Sequence, residues 1–479
     1  GQMKRNKIFG FLAGALLMAP AATFAQQALR SGYFLEGYEY RHVMNPAFGP
    51  DRKGFVSFPF LGNINVGLSG NMGVSNFLYK TPDGGLTTFL NESVTASDFL
   101  GGINQNNRLA IDYNWSIFSM GFSKFGGYNT IGINLRTNVS ATLPYELFEF
   151  MKVGGKGDNT VYHMENIGVS SKAYVELALG HSRDINEQWR VGGKLKFLLG
   201  GLNASAMIDR MDVEMTDEQW KVQGSGSLDL AMKGLKVPTN EESKKPGDYE
   251  ADKAQNINYS DIELESPGLG GFGMAIDLGA TYQLREDLQL SASLLDLGFI
   301  SWNSNTHGVM SMEPWVFDGF KDVPYNSEDD MGNEKPNSLE NQIDNLTEGL
   351  EDYFSFQREG EVSSRTTALG ATLNLGALYT FPYYEGLKFG FLSSTRIQGK
   401  YSWSEGRFSA NVAPTSWFDA SVNYGISSYG SSFGWLINFH PNKFNFFVGS
   451  DHQFVKITPQ FLPVNNANMS ISMGINFNL

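Results

Sequence analysis

The sequence predicts an all-β chain, a transmembrane antiparallel β-barrel of about fourteen strands with sixteen as the alternative count. Three features predict it. The N-terminus reads as an export leader, many segments alternate apolar and polar residues with period two, and the connections fall into short and long classes.

Composition narrows the class first. The chain has 479 residues and no cysteine, which excludes disulfides, thiolate metal sites and a catalytic thiol. Glycine numbers 54, aromatics make up 13% and charged residues only 18%, against about 25% in soluble domains. A mean hydropathy of −0.25 is too low for a bundle of membrane helices. A barrel reaches that value because its two faces average out. The formal charge of −14 without basic clusters excludes nucleic acid as a partner.

Residues 1–25 fit a cleaved signal peptide. Lys4, Arg5 and Lys7 precede the apolar run Ile8 to Met18, and Thr23-Phe24-Ala25 fits the small-x-small cleavage rule. Residues 26–54 are expected to form an N-terminal plug in the lumen. They lack an alternation long enough to span, Pro46 and Pro50 oppose a strand, and Tyr33, Phe34, Leu35, Tyr38, Tyr40 and Phe48 are too many aromatics for a solvated tail.

Residues 55–479 are then the barrel. Its clearest strands are 467–479 and 271–285, where Phe272, Met274, Ile276 and Leu278 alternate with Gly273, Ala275, Asp277 and Gly279. In 188–203, Leu195 and Phe197 alternate with Lys194 and Lys196. Charge on the inner face stays hydrated, whereas Arg or Lys facing lipid near the midplane would cost about 2–4 kcal/mol. The full strand set is 55–75, 108–125, 128–140, 162–183, 188–203, 271–285, 288–302, 364–382, 387–402, 404–412, 417–425, 431–440, 443–456 and 467–479. Long extracellular loops are expected near 76–107, 141–161, 204–270, 303–362 and 457–466, and an even strand count puts both termini in the periplasm. Segment 205–234 reads as an extracellular hairpin turning at Thr216-Asp217, because Asp209, Arg210, Asp212 and Glu214 put charge on both faces. Short helices are expected over 338–354 and after Pro144. The loop 303–361 holds fourteen acidic and three basic residues and reads as a solvated surface loop.

Several phrases together resemble a known group of barrels. Arg41-His42 followed by Asn45-Pro46-Ala47-Phe48 resembles the Asn-Pro-Ala box in the plug of FadL-like barrels. Gly273 to Tyr282, Asp296 to Trp302, Trp417-Phe418-Asp419 and His440-Pro441-Asn442-Lys443 resemble phrases of an uncharacterised Bacteroidota outer-membrane barrel family related to FadL and PorV. The end Ser472-x-Gly474-x-x-Phe477-x-Leu479 resembles the signal read by the barrel-assembly machinery, with Gly474, Phe477 and Leu479 as its marks. The resemblance implies fourteen strands, a bacterial outer-membrane location and an N-terminal hatch. It also implies either uptake of a hydrophobic small molecule, as in FadL, or service to a secretion or assembly complex, as in PorV. The implied partners are outer-membrane lipid, the barrel-assembly machinery during insertion, a hydrophobic small molecule and other envelope proteins.

For passive uptake, the expected lumen contacts are Phe34, Tyr38, Tyr40 and Phe48, with Arg41 pairing a carboxylate. Asn45, Pro46 and Ala47 form the structural box of the plug. No enzyme chemistry, metal or cofactor is expected. The six histidines share no ligand spacing, and neither a Gly-x-Ser-x-Gly elbow nor a phosphate-binding loop occurs. The Ser450-Asp451-His452 run is discounted because strand neighbours point to opposite faces.

Overall fold

The computed structural model describes residues 28–49, 54–157, 159–310, 313–319, 322–353, 355–399, 402–428, 430–452 and 469–479. The leader 1–25 and the loop 457–466 lie outside the described residues. The wall is a closed antiparallel barrel of 14 strands. These are β1 (Gly54–Ser57, then Asn63–Gly70), β2 (Asn106–Lys124), β3 (Gly127–Pro144), β4 (Asn159–Asp184), β5 (Trp189–Thr216), β6 (Gly271–Arg285), β7 (Leu288–Val309) and β8 (Ser363–Ala368, then Ala371–Thr380). β9 (Leu387–Ile397), β10 (Trp403–Thr415), β11 (Phe418–Ser427), β12 (Gly430–Phe439), β13 (Phe444–Ser450) and β14 (Met469–Asn478) complete it.

Each strand pairs with its sequence neighbour, and β14 closes on β1 through Phe55↔Asn478 and Ile64↔Met473. Closure removes the free edges that hydrocarbon cannot satisfy. The alternation then sorts side chains by medium. Leu195, Leu199, Phe272, Met274, Ile276, Leu278, Phe391, Ile437 and Met473 are exposed on the outside, while Lys194, Lys196, Asp277, Asn374 and Asn476 are buried inside. Aromatic pairs Trp189–Tyr282 and Trp417–Phe439 mark the end with short turns, where an amphipathic ring suits the interface. No helix among the described residues is long and apolar enough to cross a membrane.

Several boundaries differ from the sequence expectation. The first strand is not one piece over 55–75. It breaks after Ser57, Phe60 takes a φ of 64°, and pairing resumes at Asn63. β8 is likewise split, at Leu369-Gly370, where Gly370 has a φ of 82°. β9 ends at Ile397 and β13 at Ser450.

The largest difference concerns 204–270. The chain does turn after Thr216, but the expected hairpin 205–234 is continuous with the wall, because β4 and β5 run on together from Ala173↔Leu202 to Asn159↔Thr216. β6 stops at Gly271, opposite Gly200 and Trp302. From Leu202 and Asn305 outward, the strand Trp220–Lys236 occupies the same slot between β5 and β7. At 28 residues β5 is far longer than the 9–11 residues a bilayer requires. Charge on both faces of that extension is compatible with pairing because it rises beyond lipid.

The long-loop end is filled by two apolar clusters. One gathers Met164, Met211, Met215, Met310, Tyr353 and Phe356, the other Phe89, Phe99, Ile103 and Phe148. Helices occur at Tyr145–Val153 and Leu339–Tyr353, close to the expected positions.

Candidate functional site

The lumen is where chain outside the wall meets the wall. Residues 28–49 carry two short 3-10 turns, Arg30–Gly32 and Glu39–Val43, and almost all are buried. Their apolar side chains pack on inward-facing wall residues. Leu29, Tyr33, Phe34, Leu35, Tyr38, Tyr40, Met44 and Phe48 form one cluster with Phe55, Leu378, Leu392, Leu436 and Phe447. Edge-on ring contacts join Tyr38 to Phe447 at 5.0 Å and Tyr33 to Phe48 at 4.9 Å. Inward glycines make the room. A Cβ at Gly390 would overlap the Phe34 ring, and one at Gly376 would meet Tyr33 and Phe34 at 3.0 and 3.1 Å.

Polar contacts fix the segment at both ends of its path. Near the long-loop end, the Arg30 guanidinium donates to both Glu405 carboxylate oxygens at 3.0 Å and lies 4.8 Å over the Trp403 ring. The Arg30 and Ser31 backbone N–H groups donate to Asp451 at 2.7 Å. Near the short-turn end, Lys388 donates to Glu36 at 2.6 Å and Gly37 N–H to Asp419 at 3.1 Å. Between them, Lys194 Nζ donates to His42 Nδ1 at 2.7 Å and Arg190 Nε to the Ala47 carbonyl at 2.7 Å.

The box residues form a tight turn. Asn45 Oδ1 accepts from Ala47 N–H at 3.0 Å, and Asn45 Nδ2 donates to the Ala292 carbonyl at 3.2 Å. The five expected lumen contacts separate. Phe34 and Tyr38 are enclosed in the aromatic cluster, and the Tyr38 hydroxyl has no hydrogen-bond partner. Tyr40 donates to Asn476 Oδ1 and borders a closed polar cavity of about 20 Å³ together with His42, Asn65, Arg136, Glu176 and Lys196. Arg41 and Phe48 border a larger cavity of about 510 Å³, open at the short-turn end, with Glu36, Tyr128 and Arg190. The Arg41 guanidinium lies 3.9 Å over the Phe48 ring, and its Nε donates to the Tyr33 carbonyl. Phe477 and Leu479 face outward, and Gly474 faces inward against Gly62.

Above the segment lies a buried charge cluster that the sequence reading did not single out. Lys196 Nζ meets Asp296 at 2.7 Å, Asp277 at 2.9 Å and Glu176 at 3.8 Å. Arg136 reaches Glu176 at 3.4 Å, and Arg396 reaches Asp296 at 3.6 Å. A β-bulge aims Asp296. The β6–β7 register shifts between Ile276 and Leu278, Asp296 takes a φ of 58°, and its N–H donates to Asp277 Oδ1 at 2.8 Å. The inward alternation of Lys194, Lys196 and Asp277 was a legible part of this signal; the bulge was not. Ser450, Asp451 and His452 do not alternate as expected. β13 ends at Ser450, and all three are buried.

The outer mouth is also bridged. Arg108 on β2 donates to the Ser402 carbonyl at 3.3 Å, and Trp403 packs on Ala110. Among the described residues no apolar passage runs through the lumen, and the cavities that border the segment are largely polar.

Residues 46–451 match the family described as "Family of unknown function (DUF5723)". No curated protein matches the chain. Among solved structures, the toluene transporter TbuX of Ralstonia pickettii is similar at 8% identity, covering 94% of this chain and 97% of that one with a TM-score of 0.40. The toluene transporter TodX of P. putida is similar at 8% identity, covering 91% and 92% with a TM-score of 0.38. A FadL homologue of Pseudomonas aeruginosa is similar at 10% identity, covering 94% and 96% with a TM-score of 0.37.

Proposed function

The chain belongs to this family of unknown function (DUF5723), and we propose that it is an outer-membrane barrel for passive uptake of a hydrophobic small molecule, drawn here in its closed state. In this reading, residues 28–49 are a plug that must shift for a ligand to pass. The observation that carries it is the way the lumen is filled. The wall does not fill its own lower lumen; a separate segment does, and it is held by noncovalent contacts such as Lys194 to His42 and Arg190 to Ala47. A filler of that kind can be displaced without breaking the cylinder. The resemblance of Asn45 to Phe48 to the FadL box supports the same reading. Arg41 and Phe48, which border the open lower cavity, are proposed to meet ligand first on the periplasmic side. Phe34, Tyr38 and Tyr40 would become available only after the plug moves.

The test uses the absence of native cysteine. Gly37→Cys with Asp419→Cys would pin the plug to the wall, since Gly37 already touches Asp419. In liposomes, uptake of a tritiated monoaromatic or long-chain acyl probe should stop in the oxidised double variant and return on reduction. Equal uptake in both redox states would remove the moving plug.

A second reading, a non-transporting subunit of a secretion or barrel-assembly complex, is favoured by one observation. The lumen shows no apolar cavity among the described residues. Absence of uptake in every redox state, with stable co-purification of other envelope proteins, would select it.

A further inference from the structure

The charge cluster in the lumen leaves one cation over. Lys172 on β4 faces inward and is 7% exposed, yet among the described residues it has neither a hydrogen bond nor an ion pair. Its direct cross-strand partner on β5 is Asn203, 4% exposed, whose Nδ2 donor also lacks an acceptor. Side chains directly opposite one another start from Cβ atoms about 5 Å apart, so both donors can close on one small group.

The neighbouring carboxylates cannot serve Lys172. Asp296 acts on it through space but is already held by Lys196 at 2.7 Å and Arg396 at 3.6 Å. Arg396 and Arg365 add to the positive field at Lys172, and Arg365 is engaged by Asp229 at 3.3 Å. Around this level of the lumen the inward cations are Arg136, Lys172, Lys194, Lys196, Arg365 and Arg396, against Glu176, Asp229, Asp277 and Asp296. Asn305 Oδ1, an acceptor left without a partner beyond Ala231, is uncharged and cannot balance an ammonium. An isolated buried ammonium is strongly disfavoured unless it is neutralised or given a counter-charge.

We infer that Lys172 and Asn203 bind a small inorganic anion of halide size inside the lumen, in the field of Arg365 and Arg396. The group must be small because the inward apolar residues at this level, Tyr174, Ile300, Trp302 and Leu369, already pack on one another. The anion is a structural counter-ion, and the inference does not depend on whether the plug moves.

The full barrel in mild detergent tests this. Crystals grown in bromide should show an anomalous peak at Lys172 Nζ and Asn203 Nδ2. Heat-induced unfolding, read from gel mobility, should occur about 2–5 °C lower in sodium gluconate than in sodium bromide at equal ionic strength. Lys172→Met should lose that dependence, and Asn203→Leu should reduce it while Lys172 remains. The wild-type peak decides the matter even where a variant fails to assemble. No bromide peak with identical melting in both salts would overturn the assignment. Density that continues into an organic tail would overturn the inorganic ion.

Discussion

Gly192 and Gly279 face one another across β5 and β6, and the turn Asn45-Pro46-Ala47 is seated on that pair. A Cβ on either glycine would overlap the turn: at Gly192 it would meet the Pro46 carbonyl, at Gly279 the Asn45 side chain. The Asn-Pro-Ala box therefore has a counterpart in the wall, made of absent side chains.

Gly192→Ala and Gly279→Ala should each unseat the box while leaving the barrel closed. Overpacking of this kind costs about 1–3 kcal/mol. Trypsin should then cut near Arg52 and Lys53 faster than in the parent, while the folded barrel keeps its heat-modifiable gel mobility. Unchanged cleavage would mean that the box does not rest on these glycines.

Two tyrosines of the segment should respond differently to loss of the hydroxyl. The Tyr33 hydroxyl lies 2.9 Å from Ser291 Oγ and accepts from Asn45 Nδ2 at 3.3 Å. The Tyr38 hydroxyl is buried without a partner. Tyr33→Phe should cost roughly 1 kcal/mol, and Tyr38→Phe should be neutral or stabilising. Denaturant titration followed by tryptophan emission measures both.

Lys196 holds three carboxylates in place. Lys196→Met leaves them mutually repelling in a buried site. It should destabilise the barrel by about 3–5 kcal/mol or prevent its assembly. The triple variant that also carries Asp277→Asn and Asp296→Asn should recover most of the loss. Absence of recovery would show that Lys196 acts through packing rather than charge.

The seating of the segment should weaken in acid. Burial, and then the ammonium groups of Lys194 and Lys196, hold the His42 imidazole well below its usual value. Seated His42 is neutral, whereas released His42 takes up a proton near pH 6.5. The released state thus binds more protons. Seating is at full strength above pH 6.5 and weakens by up to about 1.4 kcal/mol per pH unit below it, until the seated group itself titrates. Hydrogen exchange of residues 38–46 at pH 7.5 and 5.5 reads this directly, and His42→Gln should flatten the dependence.

Much of the wall was legible because lipid and lumen impose opposite chemistry on alternate residues. The run Phe272 to Leu278 and the last strand carry that pattern without interruption, and both pair as full strands. The aromatics Tyr33, Phe34, Tyr38 and Tyr40 also announced a buried segment. Other features had no local signal. The outward run of β5 through Asp209 and Asp212 violates the lipid alternation, and only its cross-strand partners make it a strand. The break at Phe60 and the bulge at Asp296 depend on backbone conformations that Asp tolerates and Phe seldom adopts. Lys172 was unreadable, since its lack of a counter-charge emerges only when β4, β5 and β9 are brought round one lumen.

Electrical conductance across a planar bilayer tests the central claim most directly. The account predicts that the intact barrel is nearly silent, because residues 28–49 fill its lower lumen, and that deleting those residues opens stable ionic conductance. Equal conductance with and without them would contradict it.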